Sequence, residues 1–292
     1  MRHIQGPGPA ELAPGLFLFP SSVWQMNSAV LCGHGEALVV DPGFFPDEIA
    51  TLRDFVQGRG LRPRLYFTHG DFDHVAGHQA FPGAPRWGSP DLARREPGPV
   101  EDQVREFDLR YYVERPQPFT FPRLTWEAAG PEPGGYARQT LGALEVLFWP
   151  APGHTTDGLA AAVPALGLLF AGDYLSDLEF PFVEDSLVRY RVTLSTFRKA
   201  VHDLGLRVLV PGHGPAASSQ ADILGRVERD EAYLETLWQA AGDSVREGLD
   251  EAEALARLEG VPYRGGPVPD HLRKAHGNNT RLVLAERRSL PG

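Results

Sequence analysis

The sequence predicts an α/β (α+β) fold in which a β-rich part comes first and a helical part comes last. Short apolar runs at 16–19, 28–32 and 37–40 are separated by glycine and proline, as expected of strands joined by turns. Later in the chain, apolar residues recur at helical spacing over 221–247, which predicts one amphipathic helix. The two patterns together favour a β core that is covered by helices.

The same signals place the remaining elements. The chain from about 89 to 118 is charged and flanked by prolines, and we expect it to be an insertion that leaves the core, with a helix near 100–113. We expect one domain over 1–215 and a helical C-terminal extension over 216–292, packed on the same domain. Further strands are predicted at 65–68, 144–149, 168–171 and 208–210, and further helices at 47–57, 250–258 and 270–286.

Composition and charge limit the classes of function. The 292 residues carry a formal net charge of −10, so a basic surface for nucleic acid or an anionic membrane is not expected. A single cysteine excludes an internal disulfide and a site built from several thiolates. No stretch approaches roughly 18 consecutive apolar residues, and residues 1–14 lack the apolar run of a secretory signal. We therefore expect a cytoplasmic protein with a small-molecule substrate; a homodimer is one alternative for its assembly.

A cluster of four potential metal ligands follows the strand predicted at 65–68. His69, Asp71, Asp73 and His74 lie within six residues, where a buried strand emerges into a loop. Catalytic groups are commonly placed in such loops on a rigid scaffold. The alternative interpretation is a solvated acidic loop that contains two incidental histidines.

Three later strands also end in a potential ligand. His154 and His213 each follow Pro-Gly, and Asp173 follows Ala-Gly. A preceding glycine lets the backbone turn sharply and present the next side chain without a competing one. One such residue is typical of an ordinary loop, but three strand ends in this order favour a metal site built from histidine and carboxylate.

In this order, Asp41, the cluster at 69–74, His154, Asp173 and His213 resemble the five motifs of the metallo-β-lactamase superfamily, and within it the glyoxalase II-like metal-dependent hydrolases. The resemblance spans roughly residues 14–215. It implies an αββα sandwich of two mixed β-sheets with helices on both outer faces and a helical C-terminal tail. The site would lie at one edge, between the sheets.

The resemblance also implies a binuclear metal site with a role for each residue. The first metal would be bound by His69, Asp71 and His154, the second by Asp73, His74 and His213, and Asp173 would bridge the two. Asp41 would support the site by hydrogen bonding from behind the ligands. An equally good interpretation of Asp41 is a purely local Asp-Pro-Gly turn.

Asp71 is the position at which this sequence departs from the commonest pattern of the family, which has histidine there. A carboxylate adds negative charge and a harder oxygen ligand with a shorter reach. Such a shell suits iron or manganese better than an all-histidine shell does, although zinc accepts carboxylate too, and zinc is the expected metal. If Asp71 falls short of the metal, the protein is mononuclear at the second site.

The resemblance implies hydrolysis by a metal-bound hydroxide, with Asp73 as the catalytic carboxylate that orients it or moves a proton. The expected substrate is an ester, thioester or lactone of a small molecule. The alternatives are a small phosphodiester and, because of Asp71, iron-dependent redox chemistry. The sequence has no Gly-x-Ser-x-Gly motif, and Cys32 lies in a predicted strand, so covalent catalysis by serine or cysteine is not supported.

Candidates for substrate contact lie after Asp173. Arg189 and Tyr190 belong to a stretch that often borders the cleft in this superfamily; the alternative is a loop packed under the sandwich. His78 is expected at the surface or behind the ligands. The polar segment 271–279 is a further candidate for the mouth of the site, although a solvated helix face explains its basic residues as well.

Overall fold

Two mixed β-sheets lie face to face at the centre of the computed structural model, which describes residues 9–129 and 135–290. The first sheet contains, in spatial order, β1 (Ala10–Ala13), β2 (Leu16–Pro20), β3 (Asn27–Gly33), β4 (Glu36–Val40), β5 (Arg62–Tyr66), β6 (Arg86–Gly88) and β7 (Trp126–Glu127). The second sheet contains, in spatial order, β12 (Val208–Pro211), β11 (Leu168–Gly172), β10 (Leu159–Val163), β9 (Leu144–Pro150) and β8 (Ala137–Leu141).

Each sheet combines parallel and antiparallel pairs. Strands β1 to β4 are antiparallel neighbours, whereas β4 to β7 pair in parallel. In the second sheet, β8 to β11 are antiparallel neighbours, and β11 pairs with β12 in parallel, with Phe170 opposite Val210. Strands β9, β11 and β12 therefore run in the same direction, and their carboxyl ends meet at one edge of the sheet.

The main apolar core fills the space between the two sheets. Leu31 and Leu38 of the first sheet and Phe148 and Phe170 of the second share one buried cluster. The neighbour of Leu38, Val39, belongs instead to the cluster on the outer face of the first sheet. This alternation follows from the two-residue period of a strand, because successive side chains point to opposite faces.

Helices cover both outer faces. They are α1 (Pro46–Gly58), α2 (Phe72–Val75), α3 (Pro90–Arg94), α4 (Pro97–Tyr111), α5 (Leu187–Asp203), α6 (Gln220–Arg246), α7 (Glu251–Glu259) and α8 (Arg273–Ser289). Leu52 of α1 packs in the outer cluster of the first sheet. Leu194 of α5, Leu234 of α6 and Val283 of α8 pack with Leu169 on the outer face of the second sheet.

The predicted αββα sandwich with a helical C-terminal part is confirmed, but the sequence analysis misses several elements. Strand β10 reads Leu-Ala-Ala-Ala-Val, so it lacks the β-branched composition that is typical of strands. It is also buried on both faces, so it lacks the alternation of a half-buried strand. Strands β1 and β8 and the very short β6 and β7 also lie outside the predicted strands. Helix α5 is not among the predicted helices and begins inside the stretch expected to border the cleft. The Ser186 side chain caps this helix by accepting from the Arg189 N–H.

The segment expected to be an insertion, 89–118, forms α3 and α4 between β6 and β7. It does not leave the core entirely, because Leu92 and Val100 are buried in the outer cluster of the first sheet. This packing holds the junction between the two helices against the edge of the sandwich that carries the polar cluster.

Two further expectations concern the chain as a whole. Within residues 9–129 and 135–290, no helix is both long and apolar enough to span a membrane. The cytoplasmic location and the division of the chain near residue 215 stay predictions; α5 and α6, on either side of that division, bury side chains in one cluster. Residues 1–8, 130–134 and 291–292, which the predicted ranges include, lie outside the described residues.

Leu38→Ala is expected to destabilise the protein by about 2–5 kcal/mol, because Leu38 is fully buried between the sheets and its truncation leaves a cavity. Leu109→Ala is the matched control, since this leucine is 72% exposed, and a change within about 0.5 kcal/mol is expected. Chemical denaturation followed by circular dichroism measures both. Equal unfolding free energies for the two variants would contradict the inter-sheet packing of Leu38.

Candidate metal centre

Histidine and aspartate side chains converge at the edge where β5 of the first sheet and β9, β11 and β12 of the second sheet end. The cluster at 69–74 follows β5, and its second half lies on the short helix α2. His154 follows β9, Asp173 follows β11 and His213 follows β12. The structure therefore brings together all seven residues that the sequence analysis proposes as ligands.

The first group of ligand-type atoms belongs to His69, Asp71 and His154. Oδ2 of Asp71 lies 3.5 Å from Nε2 of His69 and 3.5 Å from Nε2 of His154. Both imidazoles are buried, and Asp71 is partly exposed to the cavity in front of them. One nitrogen from each ring and one carboxylate oxygen thus face a common point.

The second group belongs to Asp73, His74 and His213, all of which are buried. Oδ2 of Asp73 lies 3.4 Å from Nε2 of His213 and 3.7 Å from Nε2 of His74. The two imidazole Nε2 atoms are 3.4 Å apart. This group has the same composition as the first, two nitrogens and one oxygen.

Asp173 lies between the two groups. Its Oδ2 is 3.5 Å from Nε2 of His154 and 3.4 Å from Nε2 of His213. Its Oδ1 is 3.2 Å from Nε2 of His74. The carboxylate therefore contacts both groups, as expected of a bridging ligand.

The spacing of these atoms fits the ligands of divalent metal ions. Two ligand atoms that each lie about 2.1 Å from one zinc ion, at the tetrahedral angle, are about 3.4 Å apart. The separations given above, 3.2 to 3.7 Å, bracket that value. Nε2 of His69, Nε2 of His154 and Oδ1 of Asp173 are buried and have no hydrogen-bond partner among the described residues. Buried polar atoms without a partner are costly, so these residues fit a site that binds cations.

Each of the four imidazoles is held through its other nitrogen, Nδ1. The partners are the Thr68 hydroxyl for His69 at 3.0 Å, the Asp41 carboxylate for His74 at 2.9 Å, the Phe182 carbonyl for His154 at 2.8 Å and the Trp24 carbonyl for His213 at 3.1 Å. A second hydrogen bond of this kind fixes the orientation and the tautomer of a metal-binding histidine.

The chemistry of these partners assigns the proton to Nδ1 in every ring. A carbonyl or carboxylate oxygen accepts a hydrogen bond, so His74, His154 and His213 must donate from Nδ1. The Thr68 hydroxyl donates its own proton to Oδ2 of Asp41 at 2.7 Å, and so accepts from Nδ1 of His69. In the neutral form of each ring, Nε2 therefore carries the lone pair that a cation binds.

Two glycines next to the histidines are required for different reasons. Gly153 has a φ of +125°, a conformation in which side chains are strained, so it supplies the sharp turn that the sequence analysis expects before His154. A Cβ at Gly212 would lie 2.0 Å from Oδ1 of Asp173. Gly212 is therefore needed for the close approach of two loops rather than for a turn.

A cavity of about 580 Å³ opens in front of the cluster. This volume is typical of a site for a small molecule. Its floor is formed by Asp71, Asp73, His154, Asp173 and His213, and one wall is apolar, formed by Trp24, Leu178, Phe182, Val183, Leu272 and Ala275.

The mouth of the cavity is polar, and part of it comes from the C-terminal segment. His271, Lys274 and Asn278 line it, so the candidate segment 271–279 does reach the site. Glu179 also lines the cavity, and burial raises the pKa of Glu179 to about 7 against the opposing charge of His213. Nothing in the sequence around Glu179 marks it as part of a site.

Comparison with known proteins assigns the chain to a family. The family model described as Metallo-beta-lactamase superfamily matches residues 22–261. The chain belongs to the metallo-beta-lactamase superfamily. The matched range includes all seven residues of the cluster as well as Asp41. No curated protein sequence matches the chain significantly.

Solved structures share the fold of this superfamily member. The metallo beta lactamase from Erythrobacter litoralis is 17% identical, with a TM-score of 0.55 over 77% of this chain and 96% of its own. A metallo-beta-lactamase family protein from Thermus thermophilus is 19% identical, with a TM-score of 0.64 over 95% of this chain and 94% of its own. A stereoselective inverting sec-alkylsulfatase from Pseudomonas sp. is 16% identical, with a TM-score of 0.66 over 97% of this chain and 50% of its own. At these identities the likeness shows the fold.

The imidazoles and carboxylates of the superfamily site shift one another's pKa. Burial would lower the pKa of His154, but Asp71 and Asp173 outweigh it and raise this pKa to about 10. Burial would raise the pKa of Asp71, but His154 and His69 hold it well below its usual range. Against the effect of burial, Asp173 also raises the pKa of His213 well above its usual value. The carboxylates thus stabilise positive charge at this point.

Arg95, which follows α3, is a member of the site that the sequence analysis misses. Its Nη2 donates to Oδ1 of Asp71 at 2.8 Å, and its Nη1 donates to Oδ2 of Asp157 at 2.9 Å. Asp71 therefore has one oxygen held by a guanidinium and the other facing His69 and His154. The contact spans 24 residues and comes from the expected insertion, so no local pattern indicates it.

The structure combines the two interpretations of Asp41. Its φ of +46° is left-handed, as expected of an aspartate in a tight turn. Its Oδ1 accepts from the Thr68 N–H at 2.9 Å, and its Oδ2 accepts from Nδ1 of His74 at 2.9 Å. Asp41 therefore both forms the turn and orients a histidine of the cluster.

Neither of the candidate substrate contacts, Arg189 and Tyr190, lines the cavity. Arg189 lies on the solvent side of α5 and pairs with Asp185 at 2.9 Å. Tyr190 is fully buried, and its hydroxyl donates to the backbone carbonyl of Asp173 at 3.4 Å. The first turn of α5 directs Tyr190 into the core beneath the cluster.

His78 is buried rather than at the surface. Its Nε2 donates to the Thr120 carbonyl at 2.6 Å, and burial lowers the pKa of His78 to about 4. The residue thus anchors the chain after α4 as a neutral imidazole and takes no part in the ligand groups.

Asp41→Asn tests whether Asp41 acts through His74. Asparagine tolerates the left-handed turn and keeps one acceptor oxygen, but its Nδ2 would face Nδ1–H of His74 as a second donor. We expect zinc affinity at the second group to fall by about 10- to 100-fold, measured by competition with a chromophoric chelator. Asp41→Ala should lose the same affinity and, in addition, about 1–2 kcal/mol of stability from the strained turn. Wild-type zinc affinity of the asparagine variant would show that Asp41 forms the turn but does not act through His74.

Arg95→Lys tests whether the guanidinium positions Asp71. Lysine keeps the positive charge but lacks the rigid fork that bridges Asp71 and Asp157. We expect zinc affinity at the first group to fall by about tenfold, at the lower end of the effects of such supporting residues. Arg94→Lys is the matched control, because Arg94 is 71% exposed and pairs with Asp91. Identical zinc titrations for the two lysine variants would show that the guanidinium of Arg95 does not position Asp71.

Proposed function

We propose that this protein is a metal-dependent hydrolase that cleaves an ester, thioester or lactone bond of a small molecule with two divalent metal ions. The observation that carries the proposal is the convergence of two equivalent ligand groups on the two sides of Asp173. In the proposal, the first ion is held by His69, Asp71 and His154, the second by Asp73, His74 and His213, and both by Asp173.

The chain's own residues supply binding and proton transfer in this proposal. When bound, two divalent ions lower the pKa of a shared water toward neutrality and polarise the scissile carbonyl. Asp73 lines the cavity, so its carboxylate is placed to orient the attacking water and to accept its proton. Asp73 is therefore the proposed catalytic residue.

The lining of the cavity supports a small, partly apolar substrate. Phe182, Val183 and Leu178 offer an apolar surface next to the cluster. Among the described residues that line the cavity, Lys274 is the single lysine or arginine, and two carboxyl groups, those of Glu179 and Glu184, also line it. Such a lining does not favour a nucleic acid, whose binding depends on several basic contacts to phosphates.

Zinc is the proposed metal, with iron and manganese as alternatives. Each ligand group contains two imidazole nitrogens and one carboxylate oxygen, a set that zinc accepts readily. The oxygen ligand Asp71 favours the alternatives more than a third imidazole would. Metal analysis of the purified protein distinguishes the three, and an iron-containing, coloured protein would support the redox alternative.

Chelation is expected to abolish hydrolysis, and added zinc is expected to restore it. The test panel contains thioesters, esters and lactones, together with β-lactams, sulfate esters and phosphodiesters. The β-lactams and sulfate esters are included because the similar structures comprise metallo-beta-lactamases and a sec-alkylsulfatase. Turnover of phosphodiesters alone would favour the phosphodiesterase alternative over the proposed substrate class.

Asp73→Ala is expected to lower turnover by about 10²- to 10⁴-fold, the range in which a positioned proton acceptor contributes. Asp91→Ala is the matched control, because Asp91 is 53% exposed and pairs with Arg94 away from the cavity. Steady-state kinetics of both variants, with zinc content measured in parallel, give the comparison. Full activity of the Asp73 variant would overturn the proposed mechanism.

A further inference from the structure

Helix α8 at the C-terminus is connected to the candidate metal centre by Asn279, which is 1% exposed. Oδ1 of Asn279 accepts from the Val183 N–H at 2.9 Å, and its Nδ2 donates to the Pro181 carbonyl at 2.7 Å. These two hydrogen bonds flank Phe182. One side-chain amide therefore fixes the backbone on both sides of a single residue.

Phe182 provides the carbonyl that holds His154. Nδ1 of His154 donates to this carbonyl at 2.8 Å, which directs Nε2 towards Asp71 and Asp173, each 3.5 Å away. The position of one carbonyl thus sets the direction of the lone pair that His154 offers to a cation. A displaced carbonyl would let the imidazole rotate about its side-chain torsions.

The amide of Asn279 has one workable orientation. The Pro181 carbonyl can only accept and the Val183 N–H can only donate, so a flipped amide would lose both hydrogen bonds. Nδ2 also donates to the Tyr233 hydroxyl at 3.1 Å, which in turn contacts Nδ1 of His276 at 2.8 Å. A buried amide with all of these partners is rigid, because any rotation leaves polar groups unpaired.

The rest of the segment after Asp173 is held by other contacts. The Glu184 N–H donates to the His154 carbonyl at 2.9 Å, and Oε2 of Glu286 accepts from the Leu187 N–H at 2.9 Å. These bonds fasten the segment beyond Phe182 without contacting Phe182 itself. The contribution of Asn279 is therefore local to the carbonyl that His154 uses.

We propose that Asn279 is a positioning residue for the metal ligand His154, so that helix α8 is part of the metal centre as well as a cover for the core. The inference rests on the proposed function, because it concerns a metal held by His154. It gives the C-terminal helix a role in metal affinity at the first ligand group, with no direct contact between Asn279 and the metal.

Zinc titration of the full chain against a chelator tests this inference. Asn279→Ala is expected to weaken binding at the first group by about 10- to 100-fold, the usual effect of removing a residue that orients a ligand. In a His154→Ala background the same substitution is expected to change zinc affinity by less than about twofold, since Asn279 acts through His154. Gln239→Ala is the matched control; this exposed amide on α6 donates to Glu235, does not line the cavity and should leave zinc affinity unchanged.

Each outcome decides the matter. An Asn279→Ala protein that binds zinc as the wild type does, or that loses equal affinity with and without His154, would overturn the positioning role. If the alanine variant does not fold, Asn279→Asp replaces it, because aspartate keeps the acceptor for Val183 and loses the donor to Pro181. A wild-type chain that takes up no divalent metal would contradict the proposed function itself, and with it this inference.

Discussion

The geometry of the candidate metal centre depends on four hydrogen bonds to the Nδ1 atoms of its histidines. Their acceptors lie just after β4 and β5 of the first sheet, in the chain after β11 and in the turn before β3. The turn before β3 holds Trp24 and Gln25 at left-handed φ values of 47° and 51°, a strained conformation for such residues. The Trp24 carbonyl accepts from Nδ1 of His213. The strained backbone therefore lies at the residue that orients this imidazole. The four Nε2 atoms converge because distant segments of the fold meet here.

Strands, helices and ligand-type residues leave local signals in the sequence, whereas the αββα sandwich is predicted through the resemblance of the ordered motifs to a family. Apolar strands alternate or run continuously, and His154, Asp173 and His213 each follow such a strand, so strand pattern and residue type are sufficient to propose these three. Strand β10 gives no such signal, because it consists mostly of alanine and is buried on both faces. Helix α5 does carry a local signal, since Leu187, Tyr190 and Leu194 recur at helical spacing, but the same stretch is also the one expected to border the cleft after Asp173.

The residues that orient the ligands leave no local signal in the sequence, for a different physical reason. The Phe182 and Trp24 carbonyls that hold two of the histidines are backbone groups, and every residue type has one. Asn279 and Arg95 act through contacts with residues far away in the sequence, which no periodicity records. A sequence therefore identifies metal-ligand types at strand ends, whereas the groups that orient them become visible once the chain has folded.

The pairing of Arg95 with Asp71 reduces the effect of the negative charge that Asp71 adds to the first ligand group. Compared with histidine, Asp71 adds one negative charge, but Arg95 brings one positive charge to its other oxygen at 2.8 Å. Arg95 also pairs with Asp157 at 2.9 Å, so the three side chains together keep one negative charge, and the electrostatic preference for a harder or more highly charged ion is only partly offset. The exchange of an imidazole nitrogen for a carboxylate oxygen acts in the same direction, although zinc accepts both. Because Arg95 lies between α3 and α4, the expected insertion contributes a charged side chain to the candidate metal centre.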